Sequence, residues 1–146
     1  MKKFFLLILI TLTFGCGYKS IYENENQDLL IKIKNIEGDY EMNKYIENKL
    51  KISSNSNSKN IYELSFNTRF EKIILAKDTQ GNATDYRLEV NVDFIIHSKG
   101  NQKVNFKESL KIKKNTENFE QTNYEREIKK NFSDIIKNKL ILYLIK

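Results

Sequence analysis

The residue with the most specific chemistry in this chain of 146 residues is its lone cysteine, Cys16. It follows Met1-Lys2-Lys3, an apolar stretch from Phe4 to Phe14, and Gly15. Two lysines, then about eleven apolar residues, then a small residue before a cysteine is the order of a cleavable export signal; a membrane-spanning helix needs roughly 20 apolar residues. The chemistry implied is thioether formation at Cys16 Sγ with a diacylglyceryl group and cleavage before it, leaving Cys16 as a lipid-bearing N-terminus. Thr13 and Phe14 depart from the usual residues of that cleavage pattern. A cysteine with no partner in an oxidising compartment would otherwise be a liability. Gly17 stands where an aspartate commonly retains such proteins in the inner membrane, so the outer membrane is the expected address. The reading assigns 1–15 to a signal peptide, 16–28 to a tether and 29–146 to one folded domain.

Other reactive groups are sparse. His97 is the only histidine and falls at a strand end, where a structural role is expected. No metal-ligand spacing, glycine-rich phosphate loop or serine-nucleophile motif occurs, so no catalytic activity, metal or cofactor is expected. Glu89 and Asp93 alternate along a polar strand face, which solvation explains better than acid–base catalysis. The formal charge of +6 falls to +4 without Lys2 and Lys3, a mild excess that suits an anionic partner. Arginine is scarce (Arg69, Arg87, Arg126), and an exported chain with no nucleic-acid motif is a poor candidate for a nucleic-acid binder. Lysine, asparagine and isoleucine are abundant together, as an A+T-rich genome would give, so a solvated lysine face is the plain alternative to a binding face.

The elements that would position these groups follow from periodicity. Leu29–Lys34 alternates apolar and basic residues and predicts a strand; Gly38-Asp39 ends it, and Asp39 can cap a helix with Met42, Tyr45, Ile46 and Leu50 on one face. Ser53–Asn60 is a polar loop with no packing ability of its own. Tyr62, Leu64, Phe66 and Phe70 share a phase that Ile73-Ile74-Leu75 breaks, which predicts a bulge or strand end near Lys72. A turn at Asp78–Asn82 leads to the clearest strand, with Tyr86, Leu88, Val90, Val92, Phe94 and Ile96 on one side and Asp85, Arg87, Glu89, Asn91 and Asp93 on the other. Lys99-Gly100-Asn101 closes a hairpin to a strand whose apolar set is Val104, Phe106, Leu110 and Ile112; Glu108 falls in that set, at a bulge or exposed edge. Thr122 and Glu125 have capping-box spacing before a long amphipathic helix with a stripe from Tyr124 to Leu144, widened by Ile141, Leu142 and Ile145. The fold class is therefore α+β: a two-layer sandwich, β-α-β-β-β-α, with a four-stranded mainly antiparallel sheet and two helices on one face. The other face carries Lys32, Lys34, Arg69, Arg87, Lys107, Lys111 and Lys113. Arg87, Lys107 and Lys111 are its chief candidates for an anionic lipid head group, with Arg87 nearer Lys111 than Lys107.

Cys16-Gly17-Tyr18 with Tyr22, and above all Ala83-Thr84-Asp85-Tyr86-Arg87-Leu88 followed by Val90 and Val92, resembles the LPS-assembly lipoprotein LptE family. Ile74-Leu75-Ala76, Asp78 and Gly81 fit the segment before that strand. The resemblance implies an outer-membrane lipoprotein that plugs the LptD barrel, helps it assemble and contacts lipopolysaccharide in transit. Of the family's sites it carries over only the anchor, Cys16; on this chain's sheet face, Arg87, Lys107 and Lys111 are the residues that would meet lipid A phosphates. Two other classes fit the residues: a pilot lipoprotein of a different outer-membrane assembly, and a periplasmic lipid carrier with a cavity between sheet and helices.

Overall fold

The structure, a computed structural model, describes residues 28–146. The expected signal peptide (1–15), the expected lipid-attachment residue Cys16 and the expected tether up to residue 27 lie outside the described residues. Four strands and two α-helices follow in the expected order, with a single 3-10 turn (His97–Lys99) between the third and fourth strands: β1 (Leu30–Gly38), α1 (Tyr40–Ile52), β2 (Ile61–Lys77), β3 (Ala83–Ile96), β4 (Gln102–Lys113) and α2 (Asn118–Leu144). The sheet runs β1-β2-β3-β4; β1 pairs parallel to β2 across the α1 crossover, and the other two pairings are antiparallel.

Alternation builds the core. Leu88, Val90, Val92, Phe94 and Ile96 of β3 are fully or almost fully buried beside Leu64 and Phe66 of β2, and both helices cover that face. α1 contributes Met42, Ile46 and Leu50, and α2 contributes Ile128, Phe132, Ile136, Leu140 and Leu144, at spacings that place each set on one stripe. Phe94 packs between Phe66 and Phe106, at ring distances of 5.4 and 6.0 Å. The layer in which a lipid carrier would need its cavity is thus filled by side chains.

Asp39 caps α1 as expected, its carboxylate accepting from Met42 N–H. Lys129 of α2 reaches back to this terminus: it donates to Glu41, lies 3.8 Å from Asp39 and sits over the Phe70 ring. Its hydrogen bond, with a further one from Tyr45, holds the Glu41 carboxyl below the usual carboxylate range.

Several local expectations are corrected. α2 begins four residues before Thr122, with Glu117 at its N-cap and no side-chain cap; Thr122 donates to the Asn118 carbonyl, and Glu125 accepts from Lys72 and Gln121. The irregularities of β2 fall between Ile74 and Lys77 rather than at Lys72, and another interrupts β1 between Ile33 and Asn35. That extra residue lets Ile33 and Ile36 both pack against the core despite their spacing of three. Glu108 lies on the edge strand β4, as one of the two expectations had it, but at no bulge: it is in regular register opposite Val90 and is met by Lys139 of α2. The 53–60 loop is not inert: Ser54 Oγ accepts from Ile31 N–H at 2.8 Å, and Ser58 is buried. Ile141 is buried, but Leu142 and Ile145 are exposed, so the stripe widens less than their apolarity implies.

Candidate functional site

The candidate site is the sheet face without helices. Strand alternation places it opposite the core, and register makes it a grid. One row is Ile73–Arg87–Lys111, the next Glu71–Glu89–Ser109, and the third Arg69–Asn91–Lys107. Arg87 and Lys111 are thus direct cross-strand partners, as the hairpin geometry predicts, and Lys107 lies two rows away. The structure brings all three candidates onto one face.

It also brings in a residue that the candidate set left out. Glu89 sits between them: Lys107 Nζ lies 2.6 Å from its Oε1, and Arg87 Nε lies 3.7 Å from its Oε2. Arg87 Nε is buried and makes no hydrogen bond among the described residues. Lys111 and Arg69 make no ion pair among the described residues and are exposed. Arg69, Glu71, Glu89, Asn91 and Lys107 line a hollow of about 200 Å³. Two of the three candidate cations are therefore engaged by one carboxylate, and the open positive charge is centred on Lys111 and Arg69. Alternation alone puts Arg69 and Glu89 on this face; the Lys107–Glu89 diagonal requires the register.

Toward the other end of the face a larger hollow, about 490 Å³, crosses all four strands. Its central row is Glu37–Asn67–Asp93–Asn105, one residue from each strand. Asn105 Nδ2 donates to Asp93 and to Asn91, at 2.7 and 2.5 Å. Beyond it, Lys34 donates to Glu63 and holds that carboxyl below its ordinary range.

His97 bonds Ser65 Oγ through Nε2 and Asn101 Oδ1 through Nδ1, both at 2.8 Å. The amide oxygen only accepts, so Nδ1–H donates and Nε2 receives the serine hydroxyl. This chain ties β2 to the β3–β4 turn, where Gly100 and Asn101 both adopt positive φ. Among the described residues no cluster of His, Cys, Asp and Glu could hold a metal ion, and no helix is long and apolar enough to cross a membrane.

No family model matches the chain, and no curated protein matches it by sequence. Solved structures do match by fold. Rare lipoprotein B from Shewanella oneidensis superposes with a TM-score of 0.54 over 78% of this chain and 97% of that one, at 15% identity. A minor lipoprotein from Acinetobacter baumannii superposes with a TM-score of 0.52 over 79% of this chain and 94% of that one, at 16% identity. At such identities the likeness speaks to fold: this domain has the architecture of these two bacterial lipoproteins.

Proposed function

We propose that this chain is a non-enzymatic outer-membrane lipoprotein, anchored through Cys16, that plugs and helps assemble the LptD barrel and assists lipopolysaccharide transport to the cell surface. The observation that carries the reading is the joint one: a lipoprotein-type fold on a chain that opens with a lysine pair, an apolar run and Gly15-Cys16. The resemblance around Ala83–Val92 supports LptD as the partner. A sheet face of charged and amide side chains is suited to the polar interior of a large barrel. Lys111, Arg87 and Lys107 are the residues proposed to meet lipid A phosphates by charge-assisted hydrogen bonds.

The second reading, a pilot lipoprotein of another outer-membrane assembly, draws support from Glu89: cations already paired on the surface serve a protein contact as well as a phosphate. Purification of the wild-type protein from outer membranes, with the co-purifying barrel identified, separates the two. LptD in stoichiometric amount is the expected result, and a different barrel in its place overturns the proposal. In the same strain, Cys16→Ser is expected to leave an unlipidated precursor that keeps residues 1–15; a free thiol at Cys16 of the wild-type mature protein would refute the anchor.

A further inference from the structure

We propose that the larger hollow on the open face is a saccharide site, chemically separate from the cationic row beside it. The hollow measures about 490 Å³ and takes side chains from every strand of the sheet. Its polar lining is chiefly amide and carboxylate: Asn67, Asp93 and Asn105 in one row with Glu37, flanked by Ser65 and Lys103. Two carboxylates against one ammonium make it net negative, so an isolated phosphate is repelled.

Its hydrogen-bonding capacity is mixed and partly unspent. The Asn67 amide makes no side-chain hydrogen bond among the described residues. Asn105 spends its NH₂ group on Asp93 and Asn91 and keeps its oxygen. Asn35 donates to one oxygen of Glu37, which leaves the other free. Sugar hydroxyls donate and accept together, and vicinal pairs of them match the paired atoms of carboxylates and amides. Ile95 is the one apolar side chain that this face contributes to the lining, with no aromatic platform, so the site takes the polar edge of a sugar and binds it weakly. The row Arg69–Asn91–Lys107 begins two residues further along the strands, about 7 Å away at ~3.4 Å per residue. A phosphorylated saccharide would span both, with hydroxyls in the hollow and phosphate on the cations. The inference rests on the proposed function only for the source of the sugar.

The test uses the full lipidated protein in a detergent without a sugar head group. The probes are the dephosphorylated oligosaccharide released from lipopolysaccharide and, separately, inorganic phosphate. The oligosaccharide is expected to shift the NMR amide signals of Asn67 and Asn105 with a Kd of about millimolar order. Asp93→Ala and Asn105→Ala should each weaken it at least fivefold, with the circular dichroism unchanged. Lys51→Ala, on α1 in the helical layer where Lys51 meets Glu47, should leave it unaltered. No shift at ~20 mM oligosaccharide, well above that Kd, overturns the inference. So does wild-type affinity in both hollow variants, or a larger response of Asn67 and Asn105 to phosphate than to sugar. LptD capture is measured in the same preparations: capture without sugar binding sinks the saccharide site alone, and sugar binding without capture sinks only the proposed function.

Discussion

Glu89 is the residue whose neutralisation distinguishes a phosphate-binding face from a merely solvated one. Its carboxylate engages both Lys107 and Arg87, and Glu71 stands directly opposite on β2. Glu89→Gln keeps the side-chain shape and removes one negative charge. A phosphate seated beside Lys107 would stand about 6 Å from position 89, close to a cross-strand spacing. At an effective dielectric of about 60, unit charges at that distance interact by about 0.9 kcal/mol, which is a factor of about four to five in affinity for each negative charge on the phosphate. Removing an acid should therefore tighten lipopolysaccharide binding about fivefold at 50 mM salt. The gain should shrink at 500 mM, where the screening length falls to about 4 Å. Glu127→Gln on α2 is the control, because its carboxylate meets Lys130 on the opposite layer. Arg87→Asp with Lys111→Asp should abolish binding while the fold survives. The assay is lipopolysaccharide titration of the purified full-length protein at both salts. Unchanged or weaker binding by Glu89→Gln at low salt would refute the reasoning, because the freed cations would then not be facing a phosphate.

Three further outcomes are expected. Val90→Asp buries a carboxylate in the middle of β3, opposite Glu108, and should cost about 4 kcal/mol of a domain stability of about 5–15 kcal/mol; Asn91→Asp, beside Arg69 and Lys107, should cost less than about 1 kcal/mol. Equal shifts of the urea midpoint in those two variants would show that the facing of β3 is wrong. Gly38 has φ +99°, and a Cβ there would stand 1.8 Å from the Thr68 carbonyl oxygen, whereas Gly81 opens onto empty space; Gly38→Ala should lower Tm by roughly 10 °C or more and Gly81→Ala by about half that or less. Glu41 is held below its ordinary carboxylate range by Lys129, so its contribution is complete above that range and is lost as pH falls through the lowered value; between roughly pH 5 and pH 3 Tm should fall, and Glu41→Gln should flatten the fall.

What was legible in the sequence depended on whether a signal was local. The facing of β3 could be read because its side chains from Leu88 to Ile96 alternate between a buried face and a more open one. The β-α-β order permits the parallel pairing of β1 with β2, but its register could not be read, because backbone register carries no residue-type signature. The start of α2 was misplaced for a tertiary reason. The Thr122–Glu125 spacing mimics a capping box, but Glu125 is used by Lys72 from β2, and Phe119 in the true first turn is 75% exposed and gives no apolar stripe. At the candidate site, alternation put Arg87, Lys107 and Lys111 on one face. That Glu89 intervenes between two of them needed the β3–β4 register. The hollow of amides needed all four strands, including the irregular β1.

The parallel pairing also has a mechanical consequence. Residue 28 enters at the end of the sheet where β1 and β2 both begin, and the β2–β3 turn at Asp78–Asn82 lies at the other. Tension applied through residue 28 along the strand axis, against a grip near that turn, slides β1 lengthwise past β2. Every hydrogen bond from Leu30–Ile61 to Gly38–Thr68 is then strained together, in shear. Tension across the sheet would instead open the same bonds one at a time, like a zipper. An edge strand, with a neighbour on one side only, is thus a strong point of attachment when pulled along its own axis.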